Sequence, residues 1–100
     1  GVMGGQYQPV GQTQIVTNVL DYGMDAQEAI DLPRSFWFEG IYQLEKGFSE
    51  ETIKKLNNLG HIVGPIDPPH GGGQAIRIDW DTGTLEGGSD PRKDGIALGY

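Results

Sequence analysis

The sequence predicts an α+β fold, an antiparallel or mixed sheet with helices packed against it. Three observations carry this. The elements run helix, helix, strands, helix, strand and terminal hairpin, an order that separates helices from a largely antiparallel sheet. Apolar residues make up 36% of the chain and glycine supplies 17 positions, so turns and close backbone approaches occupy much of its length. One hundred residues allow one modest core. Residues 1–100 are therefore expected to be a single domain or a fragment of one.

Charge narrows the partners. A formal net charge of −7 speaks against a nucleic-acid backbone or an anionic membrane surface. No apolar run is long enough to span a membrane, and no signal peptide opens the chain. With zero cysteines, disulfides and thiolate metal sites are excluded.

The first helix is expected from about Gln12 to Tyr22. Ile15, Val16, Val19, Leu20 and Tyr22 fall at helical offsets on one face, and Gly23 provides the left-handed residue that stops it. Ahead of it stands Gly4-Gly5. Glycines before a helix start leave backbone N–H groups uncovered by side chains, where a developing negative charge can be held. On local pattern alone, such a pair equally reads as a turn that needs positive φ. The chain opens at Gly1 without an initiator Met, directly before this segment. A domain beginning there would leave the loop fraying at a terminus, so a fragment is expected.

A second, short helix follows over Met24–Ile30. Asp25 is its N-cap, Glu28 completes an acidic capping box, and Leu32-Pro33 closes it. Arg34 reads either as an anion clamp or as an ion-pair partner for a nearby carboxylate, and the abundance of acidic residues favours the second.

Residues 35–39 and 41–45 are rich in aromatic and β-branched side chains and read as two strands about a turn or bulge at Gly40. Trp37, with Phe36 and Phe38, is assigned to core packing rather than to ligand stacking. Ser49 caps a helix from Glu50 to about Leu59, with Glu50 and Glu51 pairing to Lys54 and Lys55. Ile53, Leu56 and Leu59 form its buried stripe, and Gly60 ends it.

His61–Val63 should be a short strand, followed by a Pro/Gly loop through Gly73. His61, Asp67 and His70 match no metal-site spacing. Gly71-Gly72-Gly73 lacks the Lys and Ser/Thr of a phosphate loop. A strand over Gln74–Trp80 with Ile76, Ile78 and Trp80 on one face turns at Asp81–Gly83 and returns over Thr84–Gly87. Gly88–Arg92 is a polar turn in which Asp90 and Arg92 interact. The tail from Gly95 to Tyr100 has slight apolar character.

Several separated motifs together resemble the γ-glutamyltransferase (γ-glutamyltranspeptidase) family of N-terminal nucleophile hydrolases. They are Gly4-Gly5, Asn18-Val19-Leu20-Asp21-Tyr22-Gly23-Met24, Glu28-Ala29-Ile30-Asp31-Leu32-Pro33-Arg34, Leu59-Gly60-His61, Gly87-Gly88-Ser89-Asp90-Pro91-Arg92 and Gly99-Tyr100. Each is weak alone, but the ordered set is specific and covers essentially the whole chain. It resembles the C-terminal part of the family's small subunit.

The resemblance implies a four-layer αββα sandwich, maturation by self-cleavage, and a newly exposed N-terminal Thr as nucleophile with its own α-amino group as base. It implies that Gly4 and Gly5 are the two consecutive oxyanion donors, and no cofactor or metal. Its substrate class is γ-glutamyl small molecules of the glutathione type. The implied partners are the large subunit and the N-terminal part of the small subunit, with self-association of the isolated piece through uncovered apolar surface. The nucleophile is not in this chain: Thr13, Thr17, Thr52, Thr82 and Thr84 lie in the wrong contexts. The piece alone is therefore expected to be inactive. Met3 before the pair and Gln6-Tyr7-Gln8-Pro9 after it look more like the branch that includes cephalosporin acylase relatives. Periplasmic, secreted and cytoplasmic locations are all compatible with this branch. The competing readings are a non-catalytic α+β binding module and, more distantly, a metal site at His61 and His70.

Overall fold

The computed structural model describes all 100 residues. They form two compact units, residues 1–32 with 71–100, and residues 33–70.

The first unit is a three-stranded antiparallel sheet with two helices. Strand β1 (Val2–Met3) leads through a 3-10 turn (Gly5–Tyr7) into α1 (Gln8–Leu20), followed by α2 (Ala26–Asp31). After the second unit come β5 (Gly72–Asp79) and β6 (Thr84–Ser89), giving the strand order β1-β5-β6.

Helix α1 starts at Gln8, four residues before the sequence-based expectation. Pro9 fits there because a first-turn residue has no intrahelical acceptor for an N–H. The helix ends at Leu20, two residues before the expected Tyr22, and Gly23 at φ 69° turns the chain as expected, with the Met24 N–H returning to the Asn18 carbonyl at 3.1 Å. The expected apolar face is only partly realised. Ile15 and Val19 are half-buried, whereas Val16, Leu20 and Tyr22 are exposed, with nothing in this chain to cover them.

Helix α2 has the expected capping box. The Asp25 carboxylate accepts from the Glu28 N–H at 2.8 Å, and Glu28 accepts from the Asp25 N–H at 3.1 Å. Ala26, Ala29 and Ile30 are buried against the sheet, where complete burial of Ile30 contributes about 2 kcal/mol. Gly88 makes this close approach possible, because a Cβ there would stand 3.0 Å from Ala26 backbone and from Ile30 Cδ1.

Side chains tie the first turn of α2 to β6. Glu86 Oε1 accepts the Ala26 N–H, one of the orphan donors of the first turn. The Gln27 amide pairs with Ser89 as a neighbouring strand would, donating to its carbonyl at 2.8 Å and accepting its N–H at 3.0 Å.

Strands β5 and β6 form the expected hairpin, in register from Gln74↔Ser89 to Asp79↔Thr84. Its turn is held by Asp79 Oδ1, which accepts from the N–H groups of Asp81 and Thr82 at 3.0 and 3.2 Å. These bonds, Thr82's first, hold the Asp79 carboxyl below the ordinary carboxylate range. Trp80 falls outside the strand. Gly72 and Gly73, expected in a loop, instead open β5, because β1 pairs with them through Val2↔Gly73 and Met3↔Gly72. A two-residue strand has no alternation to read, and its glycine partners carry no side chain to signal a face.

The second unit contains β2 (Ser35–Phe38), β3 (Ile41–Leu44), α3 (Glu50–Asn58) and β4 (Val63–Pro65). Strands β2 and β3 join at Glu39-Gly40, both at positive φ (50° and 86°), as a two-residue hairpin requires. Strand β4 lies parallel to β3 and starts two residues later than the His61–Val63 expectation. Ser49 caps α3 by accepting the Thr52 N–H at 3.1 Å, and Lys55 pairs with Glu51 at 2.9 Å.

Two packing assignments are corrected here. Leu59 is 77% exposed because the helix ends at Asn58, before that position completes the stripe; Ile53 and Leu56 are half-buried. Trp37 is 59% exposed. Its strand is an edge, and Trp37 shares its face with Tyr42 directly opposite, while Phe36 and Phe38 stack on the other face at 5.7 Å.

Candidate oxyanion loop

The Gly4-Gly5 pair is placed between two anchored segments, β1 before it and α1 after it. Gly4 has φ 142° and ψ 24°, and Gly5 has φ 58°. The first conformation is accessible essentially to glycine alone. The Gly4 carbonyl accepts the Tyr7 N–H at 3.1 Å, closing the 3-10 turn, whereas neither the Gly4 nor the Gly5 N–H is used in a turn, loop or cap bond to the chain. Both glycines are exposed. Two adjacent, uncommitted N–H groups on a constrained loop have the chemistry an anion site needs.

What holds the loop is more extensive than its sequence suggests. On one side, β1 is fixed by β5, and Gln12 Nε2 donates to the Val2 carbonyl at 3.3 Å. Gly71, at φ 57°, admits the Met3 carbonyl: a Cβ there would lie 2.1 Å from that oxygen. On the other side, Tyr7 is buried under the turn.

Asp90 secures β5 in turn. Its carboxylate, 1% exposed as a residue, accepts the Gly73 N–H at 2.6 Å, the Arg92 N–H at 2.9 Å and Arg92 Nη1 at 3.1 Å. The Asp90 N–H donates to the Gly73 carbonyl at 3.1 Å. Arg92 then reaches the last carbonyls of α2, Ile30 at 2.9 Å and Leu32 at 2.8 Å, where a cation also complements the helix dipole. The expected Asp90–Arg92 interaction is thus present, and it does more than rigidify a turn. It ties the end of α2 to the strand that pairs with β1.

The remaining sequence candidates lie in the second unit. Arg34 is buried rather than presented to an outside anion. Its Nη1 donates to the His70 carbonyl at 2.9 Å and its N–H to Glu45 Oε2 at 2.9 Å. Glu45 Oε1 also accepts the His70 N–H at 2.9 Å. His70 packs edge-on against Phe36 at 5.3 Å. Burial pushes its imidazole below the ordinary value of 6.5, the Glu45 carboxylate opposes that shift, and Arg34 adds to it. His61 is exposed beside the Tyr42 ring, and no three His, Asp or Glu side chains are grouped to hold a metal ion.

Tyr7, Gly11 and Gly71 were not singled out as site-building residues from sequence. No sequence signal marked them, because the expected helix began after Gly11 and Gly71 stood in the expected Pro/Gly loop, whereas the structure puts Gly11 inside α1 and Gly71 beside β5.

Fold and loop together define an α+β unit that presents a backbone donor pair at a helix entry. The gamma-glutamyltranspeptidase family model matches residues 1–100, and the chain belongs to that family. It is 45% identical to the glutathione hydrolase-like YwrD proenzyme of Bacillus subtilis, over 99% of this chain and 20% of that protein. Among solved structures, cephalosporin acylase from Bacillus halodurans superposes with a TM-score of 0.91 at 37% identity, over 100% of this chain and 20% of the other. Gamma-glutamyltranspeptidase from Pseudomonas nitroreducens shares the fold, with a TM-score of 0.88 at 22% identity, over 100% of this chain and 53% of the other. The chain therefore spans about a fifth of the length of the curated relative and of the acylase.

Proposed function

We propose that this chain is the C-terminal part of the small subunit of a γ-glutamyl hydrolase or transferase, and that Gly4 and Gly5 donate its oxyanion hole. The observation that carries the reading is the pair of uncommitted N–H groups on a glycine-only conformation, in a chain matched to the family over its full length. The nucleophilic Thr lies upstream in this reading. Its Oγ attacks the γ-carbonyl, its proton passes to the α-amino group, and the carbonyl π electrons move onto oxygen, where Gly4 and Gly5 hold the charge. Collapse breaks the C–N bond as the amine leaves with the proton. Water or an acceptor amine then takes the acyl group.

The rest of the enzyme is the structural partner. Ile76, Ile78 and Leu85 lie exposed on one face of β5–β6, with Ile78 directly opposite Leu85, and the tail covers part of that face where a Cβ at Gly87 would lie 3.0 Å from Ala97 Cβ. The second sheet of the sandwich would cover what remains. The exposed flank of α1 at Val16 and Leu20 is a further seam. In the isolated piece these surfaces favour self-association.

A second reading, an acylase acting on an acylated cephalosporin, is favoured by the 37% identity to the Bacillus halodurans enzyme. Parallel assays of the full-length protein on a γ-glutamyl anilide and on an acylated cephalosporin separate the two. Release from the anilide supports the first reading, selective release from the cephalosporin supports the second, and turnover of neither refutes both.

A further inference from the structure

We propose that Tyr7 is a positioning residue for the Gly4-Gly5 donor pair, and that Gly11 is glycine because the Tyr7 ring occupies the place of its side chain. The inference rests on the oxyanion reading for its catalytic consequence, but its geometry stands apart from it.

Tyr7 is the last residue of the turn that begins at Gly5, and it is 3% exposed. Its backbone N–H closes the turn on the Gly4 carbonyl at 3.1 Å. Its ring lies close to the first glycine of the pair: a Cβ at Gly4 would stand 3.3 Å from Tyr7 Cδ1. From there the ring runs along α1. A Cβ at Gly11 would meet Cε1 at 2.5 Å and Cζ at 2.9 Å, with Val2 Cγ1 at 3.1 Å, and the hydroxyl reaches Gln14 Oε1 at 3.4 Å. One rigid side chain thus lies against Gly4 of the donor loop and along two turns of α1. A glycine inside a helix costs about 1 kcal/mol relative to alanine, and at Gly11 the ring accounts for it. A planar ring is well suited to the task, because it has few torsions through which to yield.

The consequence is specific. A methyl group at Gly11 forces the ring to retreat by roughly 1 Å to reach ordinary contact at 3.4 Å. The turn above must move with it. A misplacement of that size at a catalytic group costs about 100-fold in rate. Oxyanion donors act chiefly in the transition state, so the loss falls on kcat while KM changes little.

The test is a double-mutant cycle in the full-length protein, with Gly11→Ala, Tyr7→Leu, their combination, and Tyr7→Phe. Leucine has no atoms at the positions of Cε1 and Cζ. Gly11→Ala is expected to lower kcat on a γ-glutamyl anilide about 100-fold, and Tyr7→Leu also lowers it. Adding Gly11→Ala to Tyr7→Leu costs nothing further, and Tyr7→Phe keeps activity within about threefold of wild type because the ring remains. Additive losses, or a Tyr7→Leu enzyme with wild-type kcat, overturn the proposal.

Crystal structures of Tyr7→Leu and Gly11→Ala give an arm that needs no turnover. Displacement of the Gly4 and Gly5 nitrogens supports the proposal, and an unmoved pair sinks it even if the protein proves inactive on γ-glutamyl substrates. Should Gly11→Ala fail to fold, Tyr7→Leu, which removes volume rather than adding it, carries the same comparison.

Discussion

Replacing Asp90 by alanine removes the acceptor for three donors at once: the Gly73 N–H, the Arg92 N–H and Arg92 Nη1. The side chain of Asp90 is 0% exposed and that of Arg92 11%, so water cannot readily take over. Breaking a buried ion pair from one side costs about 3–5 kcal/mol, because the partner charge stays behind without compensation. Asp90→Asn retains one acceptor oxygen but turns an NH2 toward the remaining donors, and it should cost about 2 kcal/mol. Urea unfolding of the full-length protein, read by hydrogen exchange at Gly72 and Gly73, measures both. The order Ala worse than Asn worse than wild type is expected, with strand β1 losing protection alongside β5. A loss below about 1 kcal/mol for Asp90→Ala would refute the reasoning, since an exposed pair gives that much and no more.

Smaller effects are expected elsewhere. Ser49→Ala removes the N-cap of α3 and should cost about 1 kcal/mol in the same unfolding assay, whereas Lys55→Ala, in a pair exposed by more than 70% on both sides, should leave stability within about 0.5 kcal/mol. His70 gives a pH dependence. Its folded pKa is lowered, so the unfolded chain binds the proton more readily; stability from the neutral imidazole is complete above the ordinary value of 6.5 and is lost as pH falls from there through the folded value. Denaturation midpoints measured from about pH 7.5 down to about pH 5 should fall for wild type and fall less for His70→Asn, and equal slopes would remove His70 as the cause.

Local signals were legible where one residue's chemistry decides the outcome. The Asp25–Glu28 box, the Ser49 cap and the Asp79 turn that returns the chain at Thr84 follow from side-chain-to-backbone bonds a few residues apart, and the Gly23 stop follows from glycine's access to positive φ. The family resemblance supplied the meaning of Gly4-Gly5, since the pair alone reads equally as a turn. Less legible was everything set by distant packing. Periodicity set Val16 and Leu20 on an apolar face and Leu59 in a buried stripe, and an aromatic run assigned Trp37 to the core, but neither signal registers whether this chain supplies a surface to cover them. The β1–β5 pairing was hidden because its strand is two residues long and its partners are Gly72 and Gly73. The roles of Tyr7 and Gly11 required knowing that the ring lies back along the helix.

The most direct test of the central claim deletes one donor without disturbing the loop. Proline is unsuitable, because its fixed negative φ cannot match 142° at Gly4 or 58° at Gly5. Replacing the Gly5 amide by an ester in the full-length protein removes the N–H and keeps a residue without a Cβ; it also weakens the Gly4 carbonyl as acceptor for the Tyr7 N–H, so a crystal structure of the variant checks that the turn is retained. With folding and self-cleavage intact, kcat for γ-glutamyl anilide hydrolysis should fall about 100-fold or more, with KM little changed, as for loss of one oxyanion donor. An ester variant that turns over at the wild-type rate would contradict the assignment and return Gly4-Gly5 to the role of a turn.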